Sequence, residues 1–360
     1  MGIPAPYMLG GPPTHLPFLV DYFKKNSEFE IKTFYFGSKT VGKESIINKL
    51  WNTLRTLMLF VIYIIRYRPN IVHLNSAFGK GSILRDVLFS VTSKLFNQNL
   101  IFKIHGSHYD LLYTKNIAFL LIIKLYFWGV KKIGVLSEIE KNEFIERFGN
   151  KNKIIVLKNI IEPKKTLNEN IYFKKEFLKT YGLFVSRIEE KKGLDDIILA
   201  LPAIIYEYPN FNLVVVGNGS KMESYKEMAI KLKIDKNIIW LGYIKNENIS
   251  IIYKQVDLFL FSSHFPEGMP MSLIDALDEG LPIVTTKVRF ALSYFKEFKN
   301  CLFIEKGNSQ DIVIKVKMLL SDKILRETMY KNNINFNKAF SKNIVGEEFS
   351  ILYKQMIYNK

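Results

Sequence analysis

The chain is short of several things, and each shortage rules something out. One cysteine, Cys301, stands among 360 residues. That excludes an internal disulfide and any cysteine-rich metal site, and it fits a reducing compartment. Long apolar runs are missing too. TLMLFVIYII (56–65) is bracketed by Arg55 and Arg66, and IAFLLII (117–123) is shorter still. A bilayer span takes about 20 apolar residues, so both tracts predict buried helices. Met1 is followed by Gly, Ile and Pro, not by a basic stretch and an apolar core, so no signal peptide is read. Acidic residues are scarce: 34 Asp and Glu face 51 Lys and Arg, a net charge of +17. The imbalance sits mainly in residues 1–170, with 24 basic against 12 acidic side chains, while residues 171–360 hold 27 against 22. A basic half suits nucleic acid, anionic lipid or phosphorylated substrates, or it simply keeps the chain soluble. Aromatic and basic residues are not interleaved and the excess charge is spread out, so no nucleic-acid partner is expected.

What the chain does have is apolar material and alternation. Hydrophobic residues make up 48% of a length that exceeds one core, which predicts two domains. Short β-branched runs recur at IVHL (71–74), LIFKIH (100–105), KIGVLS (132–137), KIIVL (153–157), LFVS (183–186), NLVVVG (212–217), IIWLG (238–242), DLFLF (257–261), PIVTT (282–286) and CLFI (301–304), each followed by a helix-length segment. That order predicts an α/β chain of parallel sheets built from βαβ units and covered on both faces. IIEPKKTLNEN (160–170) interrupts the alternation with a proline and a polar run. The expected domains are 1–163 and 164–340, with a helix over 341–360 that closes against one of them. Ligands in such sheets bind beyond the carboxyl ends of strands.

One stretch raises a chemical question. HFPEGMPMSLIDALDEGLPIV (264–284) carries a loop from the end of a predicted strand into a predicted helix, ended by Gly280 and Pro282. Free amides and the helix dipole favour anions at such a start, and Gly268 and Pro270 suit a close approach there. Two carboxylates flank that cradle, Glu267 in the loop and Asp275 on the helix face of Met271 and Ser272. Beside an anion they need work of their own, such as accepting hydrogen bonds from sugar hydroxyls; otherwise they are a solvated loop residue and an ordinary helix residue. LFVSRIEEKKG (183–193) places Arg187 and Lys192 just after another strand, where two cations suit a diphosphate or are merely solvated.

Together these residues resemble the family 4 retaining glycosyltransferases of the GT-B fold, over nearly the whole chain and most closely over 183–286. EGMPMSLIDALDEGLPIV is similar to the family's Glu-x7-Glu segment. Arg187 with Lys192-Gly193, VVVGNGS (214–220), LGYI (241–244), NIVHLN (70–75) and IHGSH (104–108) add to it, as do VLSEIEKNEFIERFG (135–149) and FSKNIVGEEFSILY (340–353). The resemblance implies two Rossmann-like domains whose parallel sheets face each other across a cleft. It also implies sugar transfer from a UDP- or GDP-sugar with retention at the anomeric carbon, with no metal or other cofactor. On this chain it gives Glu267 the sugar hydroxyls, Asp275 the ribose, and Arg187 and Lys192 the departing diphosphate. Amides around Gly268, Met269, Pro270, Met271 and Ser272 would cradle that diphosphate, and Gly217, Gly219 and Tyr243 would line the nucleoside pocket. His105 would face the donor sugar and donate to an oxygen of the sugar or phosphate, and Gly10-Gly11 would approach the donor; GGPP also reads as a plain turn. His73 reads as packing under the sheet.

This sequence departs from the family at three points. The helix carboxylate is Asp275 where the family has Glu, one methylene shorter. KVRFALSYF (287–295) lacks the paired glycines often found there, and only nine residues precede Gly10, through a misplaced start or a real variation. The expected acceptor is a glycan or a lipid-linked sugar in bacterial surface polysaccharide synthesis. The expected location is the cytoplasm, with the basic half touching the anionic inner face of the membrane. Three alternatives stay open: an epimerase, a hydrolase, and a non-catalytic subunit that binds nucleotide sugars.

Overall fold

A computed structural model describes all residues except 4–10, 27, 37–44, 163–171, 246–247 and 359–360. It divides into two compact units. Unit 1 comprises Met1–Glu162 with Ala339–Lys360, and unit 2 is Pro163–Lys338.

Unit 1 begins with two short parallel strands, β1 (Gly2–Ile3) and β2 (Phe34–Tyr35). Its main sheet is parallel in the order β3 (Val72–Phe78), β4 (Leu100–Ser107), β5 (Lys132–Val135), β6 (Ile154–Val156). One face is covered by helices Ile46–Tyr67, Lys80–Leu95, Ile117–Gly129 and Glu138–Phe148, through a core that includes Phe60, Phe89, Phe127 and Phe144. The other face carries helices Gly11–Lys25 and Lys342–Tyr358, around Leu19, Phe23, Ile101, Phe349 and Met356. Polar contacts fix the last helix in unit 1: Lys158 pairs with Glu348 at 2.6 Å, and the Tyr22 hydroxyl donates to Glu347 at 2.8 Å. Helix Glu138–Phe148 starts with a reciprocal cap. The Ser137 hydroxyl accepts from the Glu140 amide (3.2 Å), while the Glu140 carboxylate accepts from the Leu136 amide (3.0 Å).

The two apolar tracts do form helices, but the expectation that they are buried needs correction. In the helix Ile46–Tyr67 only Thr56, Phe60 and Ile64 are buried, one stripe four residues apart. A helix offers the sheet one side only. A tract that is apolar all round therefore leaves its other side outside. Among the described residues no helix is long and apolar enough to cross a membrane.

Unit 2 is a single parallel sheet of six strands in the order β12 (Cys301–Ile304), β11 (Ile283–Thr286), β10 (Leu258–Phe261), β7 (Thr180–Val185), β8 (Phe211–Val216), β9 (Ile238–Gly242). Each strand is an almost unbroken apolar run, as burial on both faces requires. Within the unit the chain starts at the centre with β7, winds out through β8 and β9, then returns to β10 on the other side. The direction of winding reverses between β7 and β10, and in open parallel sheets ligands bind beyond the carboxyl ends of the strands at such a point.

Candidate functional site

Both charged loops singled out in the sequence lie at that reversal. The loop after β7 runs from Ser186 to Gly193, and the loop after β10 from Ser262 to Pro270. Polar contacts join them. The Ser262 hydroxyl donates to the Gly193 carbonyl at 2.7 Å, and the His264 amide donates to the Lys191 carbonyl at 2.9 Å. Gly193 has φ +81°, and a Cβ there would lie 2.0 Å from the Ser262 carbonyl oxygen, so no side chain fits. His264 Nε2 lies 2.6 Å from Asp196 in the first turn of the helix that follows, Leu194–Glu207.

Across this seam Lys192 Nζ donates to Glu267 Oε1 at 2.5 Å, with side chains 13% and 24% exposed. Ser263 donates to the same carboxylate oxygen at 3.1 Å, and Lys192 lies over the Phe265 ring, 5.0 Å from its centroid. The Glu267 carbonyl accepts from the Phe290 amide (3.3 Å), and Arg289 donates to the Pro266 carbonyl (3.2 Å). The loop is thus held at both ends. Arg187 is exposed on the same loop and makes no side-chain hydrogen bond or ion pair among the described residues.

The helix Met271–Asp278 starts at Pro270, whose ring offers no cap. Gly268, Met269, Met271 and Ser272 therefore surround a helix start with no side-chain cap, where the dipole favours an anion. Asp275 is half-buried one turn further on. It adds to the rise in the Tyr253 phenol's pKa, which burial mainly causes, and Tyr253 donates to the Ser272 carbonyl at 3.1 Å.

After β8, Gly217 has φ +138°, and a Cβ there would meet the Ser186 carbonyl oxygen at 1.8 Å. This turn, with Gly219 beside Ile188, lies directly on the Arg187 loop. Glu189 accepts from the Ser220 amide (3.1 Å) and hydroxyl (2.6 Å), and these bonds hold its carboxyl below its ordinary pKa. Tyr243 follows β9 and is exposed.

His105 and Gly11 belong to unit 1, and Gly10 lies outside the described residues. Gly11 is the first residue of the helix Gly11–Lys25. His105, on β4, has Nε2 2.9 Å from the Asn75 side-chain oxygen. Asn75 donates its amide hydrogen to the Gly2 carbonyl at 2.9 Å, so its oxygen faces the ring and Nε2 must carry the hydrogen. Burial above all holds His105 well below the ordinary imidazole value, so the ring is neutral. Its other nitrogen, Nδ1, is an acceptor with no partner among the described residues. The hydrogen that the expected donor role of His105 requires is thus already given to Asn75.

Ser262, Ser263, His264, Asp196 and Thr286 (which donates to the Ser263 carbonyl at 2.8 Å) shape the seam, and none was singled out in the sequence. The signal available was the SSH directly after an apolar run, at the point where a strand end must become a loop.

A doubly wound parallel sheet with cations, carboxylates and a helix start at its switch point is a nucleotide-binding architecture. Residues 168–336 match the sequence model of the family Glycosyl transferases group 1. It is 24% identical over 321 residues to the capsular polysaccharide biosynthesis glycosyltransferase CapM of Staphylococcus aureus, a match covering 86% of this chain and 82% of that one. It spans about half the length of some other curated relatives. Its fold is GT-B. The lipopolysaccharide outer core galactosyltransferase WaaB superposes with a TM-score of 0.72 at 17% identity, over 99% of this chain and 98% of that one. HepE of Anabaena, in complex with UDP, gives 0.68 at 15% identity over 90% and 86%.

Proposed function

We propose that this glycosyltransferase moves a sugar from a nucleotide-diphospho-sugar, a UDP-sugar by preference over a GDP-sugar, to a glycan or lipid-linked acceptor. The anomeric configuration is retained. The pathway is bacterial surface polysaccharide synthesis, on the cytoplasmic side of the membrane. The observation that carries the reading is the Lys192–Glu267 pair at the switch point, with Arg187 and an uncapped helix start beside it. CapM's role in capsule synthesis supports the pathway, and the UDP bound by HepE supports the base.

The chemistry follows from charge. As the glycosidic bond to the diphosphate breaks, negative charge builds on the leaving oxygen. Arg187 stabilises it, and so does Lys192, whose ammonium keeps two hydrogens after serving Glu267. Amides from Gly268 to Ser272 add their dipoles. In this reading no metal is required, because the two cations fill that role. Glu267 accepts from sugar hydroxyls and Asp275 from the ribose. Gly217, Gly219 and Tyr243 line the nucleoside pocket, and His105 accepts from a donor-sugar hydroxyl. The acceptor hydroxyl attacks on the face the diphosphate leaves, and its proton passes to the departing phosphate oxygen.

A thermal shift with UDP, GDP, ADP and CMP on the wild type and on Arg187→Ala tests this. A ligand at about 100 times its Kd adds roughly 2.7 kcal/mol, a readable rise in Tm. One nucleoside diphosphate should give the rise, and Arg187→Ala should lose it. A wild type indifferent to all four sinks the reading.

A further inference from the structure

We propose that unit 1 docks on an anionic lipid bilayer through the outer apolar stripes of three neighbouring helices. This rests on the lipid-linked part of the acceptor reading above and names the surface that would serve it.

In the helix Ile46–Tyr67, the residues Ile47, Trp51, Leu54, Met58, Ile62 and Ile65 recur every three or four positions, on the side opposite Phe60 and Ile64. They are exposed, Trp51 at 68% and Ile65 at 60%. Helix Lys80–Leu95 packs against this helix and against Ile117–Gly129. Both neighbours repeat the pattern: Leu84, Leu88 and Leu95 on one, Ile117, Leu121, Leu125 and Trp128 on the other, all exposed. All three helices cover the same face of the sheet. Their outward stripes therefore share one surface, far larger in apolar content than scattered exposed residues explain.

Charge decides the occupant. The three helices carry seven basic residues and one acid. That acid, Asp86, is buried and paired with Arg85 at 2.6 Å. Every exposed charge on these helices is therefore positive, including Arg55 and Arg66 on the longest, whose 22 residues extend about 33 Å. A second copy would bring like charges face to face. An anionic bilayer meets both demands, taking the apolar stripe between its headgroups and attracting the cations that flank it.

Flotation of the full chain with phosphatidylcholine vesicles, with and without about 30% phosphatidylglycerol, tests the proposal. Wild type should float with the anionic vesicles at low salt and much less with neutral ones, and Trp emission should shift to the blue. Met58→Gln with Ile62→Gln should lower partition at least tenfold. Arg55→Gln with Arg66→Gln should lower it roughly fivefold per cation at low salt, and the loss should shrink at about 0.5 M NaCl. Three results overturn the proposal: wild type left at the bottom with anionic vesicles, equal flotation of the apolar variant, or a dimer that the apolar variant dissolves without any vesicle binding. Nucleotide-induced thermal shifts on the same variants keep the two readings separate. Flotation without a nucleotide shift retains this surface and removes the donor reading; the reverse does the opposite.

Discussion

The two units share an architecture and use their polar residues in opposite ways. Unit 2 places its polar chemistry at loop ends, where Lys192, Glu267, Ser262 and His264 fasten two loops and leave Arg187 exposed. Unit 1 carries polar chemistry inside. Lys103 is fully buried on β4 and donates to the Lys158 carbonyl at 2.7 Å, with His15 at 2.8 Å, and His73 is buried with Nδ1 2.6 Å from the Tyr353 hydroxyl. The lesson is about what each site asks of its surroundings. A loop site needs backbone rigidity and stays charged, whereas a buried cluster must stay neutral and so ties the unit's stability to pH.

The largest test of this contrast is acid. Burial, foremost, holds His15, His73 and His105 well below the ordinary imidazole value of 6.5. The unfolded chain binds protons at all three while the folded chain does not, so their contribution is fully present above 6.5 and is lost as pH falls below it. At pH 5 the three together cost up to about 6 kcal/mol. Urea unfolding read by amide exchange should show β3 and β4 weakening sharply between pH 7 and 5, with β7 and β8 much less affected. Equal weakening in both sheets would remove the distinction.

On the unit 2 side the sharpest probe is Gly217→Ala. Its Cβ would meet the Ser186 carbonyl in a conformation that disfavours side chains, at an expected cost of about 3 kcal/mol. The nucleotide-induced shift should fall with it, because the turn lies on the Arg187 loop. Denaturation and nucleotide titration of the variant check both, and a variant as stable as wild type would show that the loop end tolerates movement.

Much of the fold was legible because it rests on local pattern. All ten apolar runs became strands, and the loops bearing Glu267 and Arg187 fall at carboxyl ends because strand and helix alternate. β1 and β2, two residues each, are too short to leave a period. Other features need the third dimension. His264 meets Asp196 across 68 positions and His15 meets Lys103 across 88, and nothing in local spacing pairs them. The outer stripe of Ile46–Tyr67 was misread for a physical reason: a helix apolar on both sides gives no sign of which side the sheet covers.

The smallest effect concerns Lys103 and follows from proton counting. The Ile160 amide donates to His15 Nδ1 at 2.6 Å, so that nitrogen accepts. A neutral ring then carries its hydrogen on Nε2, which donates to Lys103 Nζ, and an amine can accept only when it is uncharged. Lys103 is thus neutral in the fold, in line with burial pushing its pKa well below the ordinary 10.5, although Glu348 pulls the other way. The unfolded chain charges it, so stability rises with pH between the lowered value and 10.5. Lys103→Met has nothing to titrate. From pH 7 to 8.5, below the range where tyrosines ionise, wild type should gain stability over the variant in urea unfolding, by up to about 2 kcal/mol. Parallel curves for the two proteins would mean that Lys103 holds its proton in the fold, and the hydrogen-bond assignment at His15 would have to be reversed.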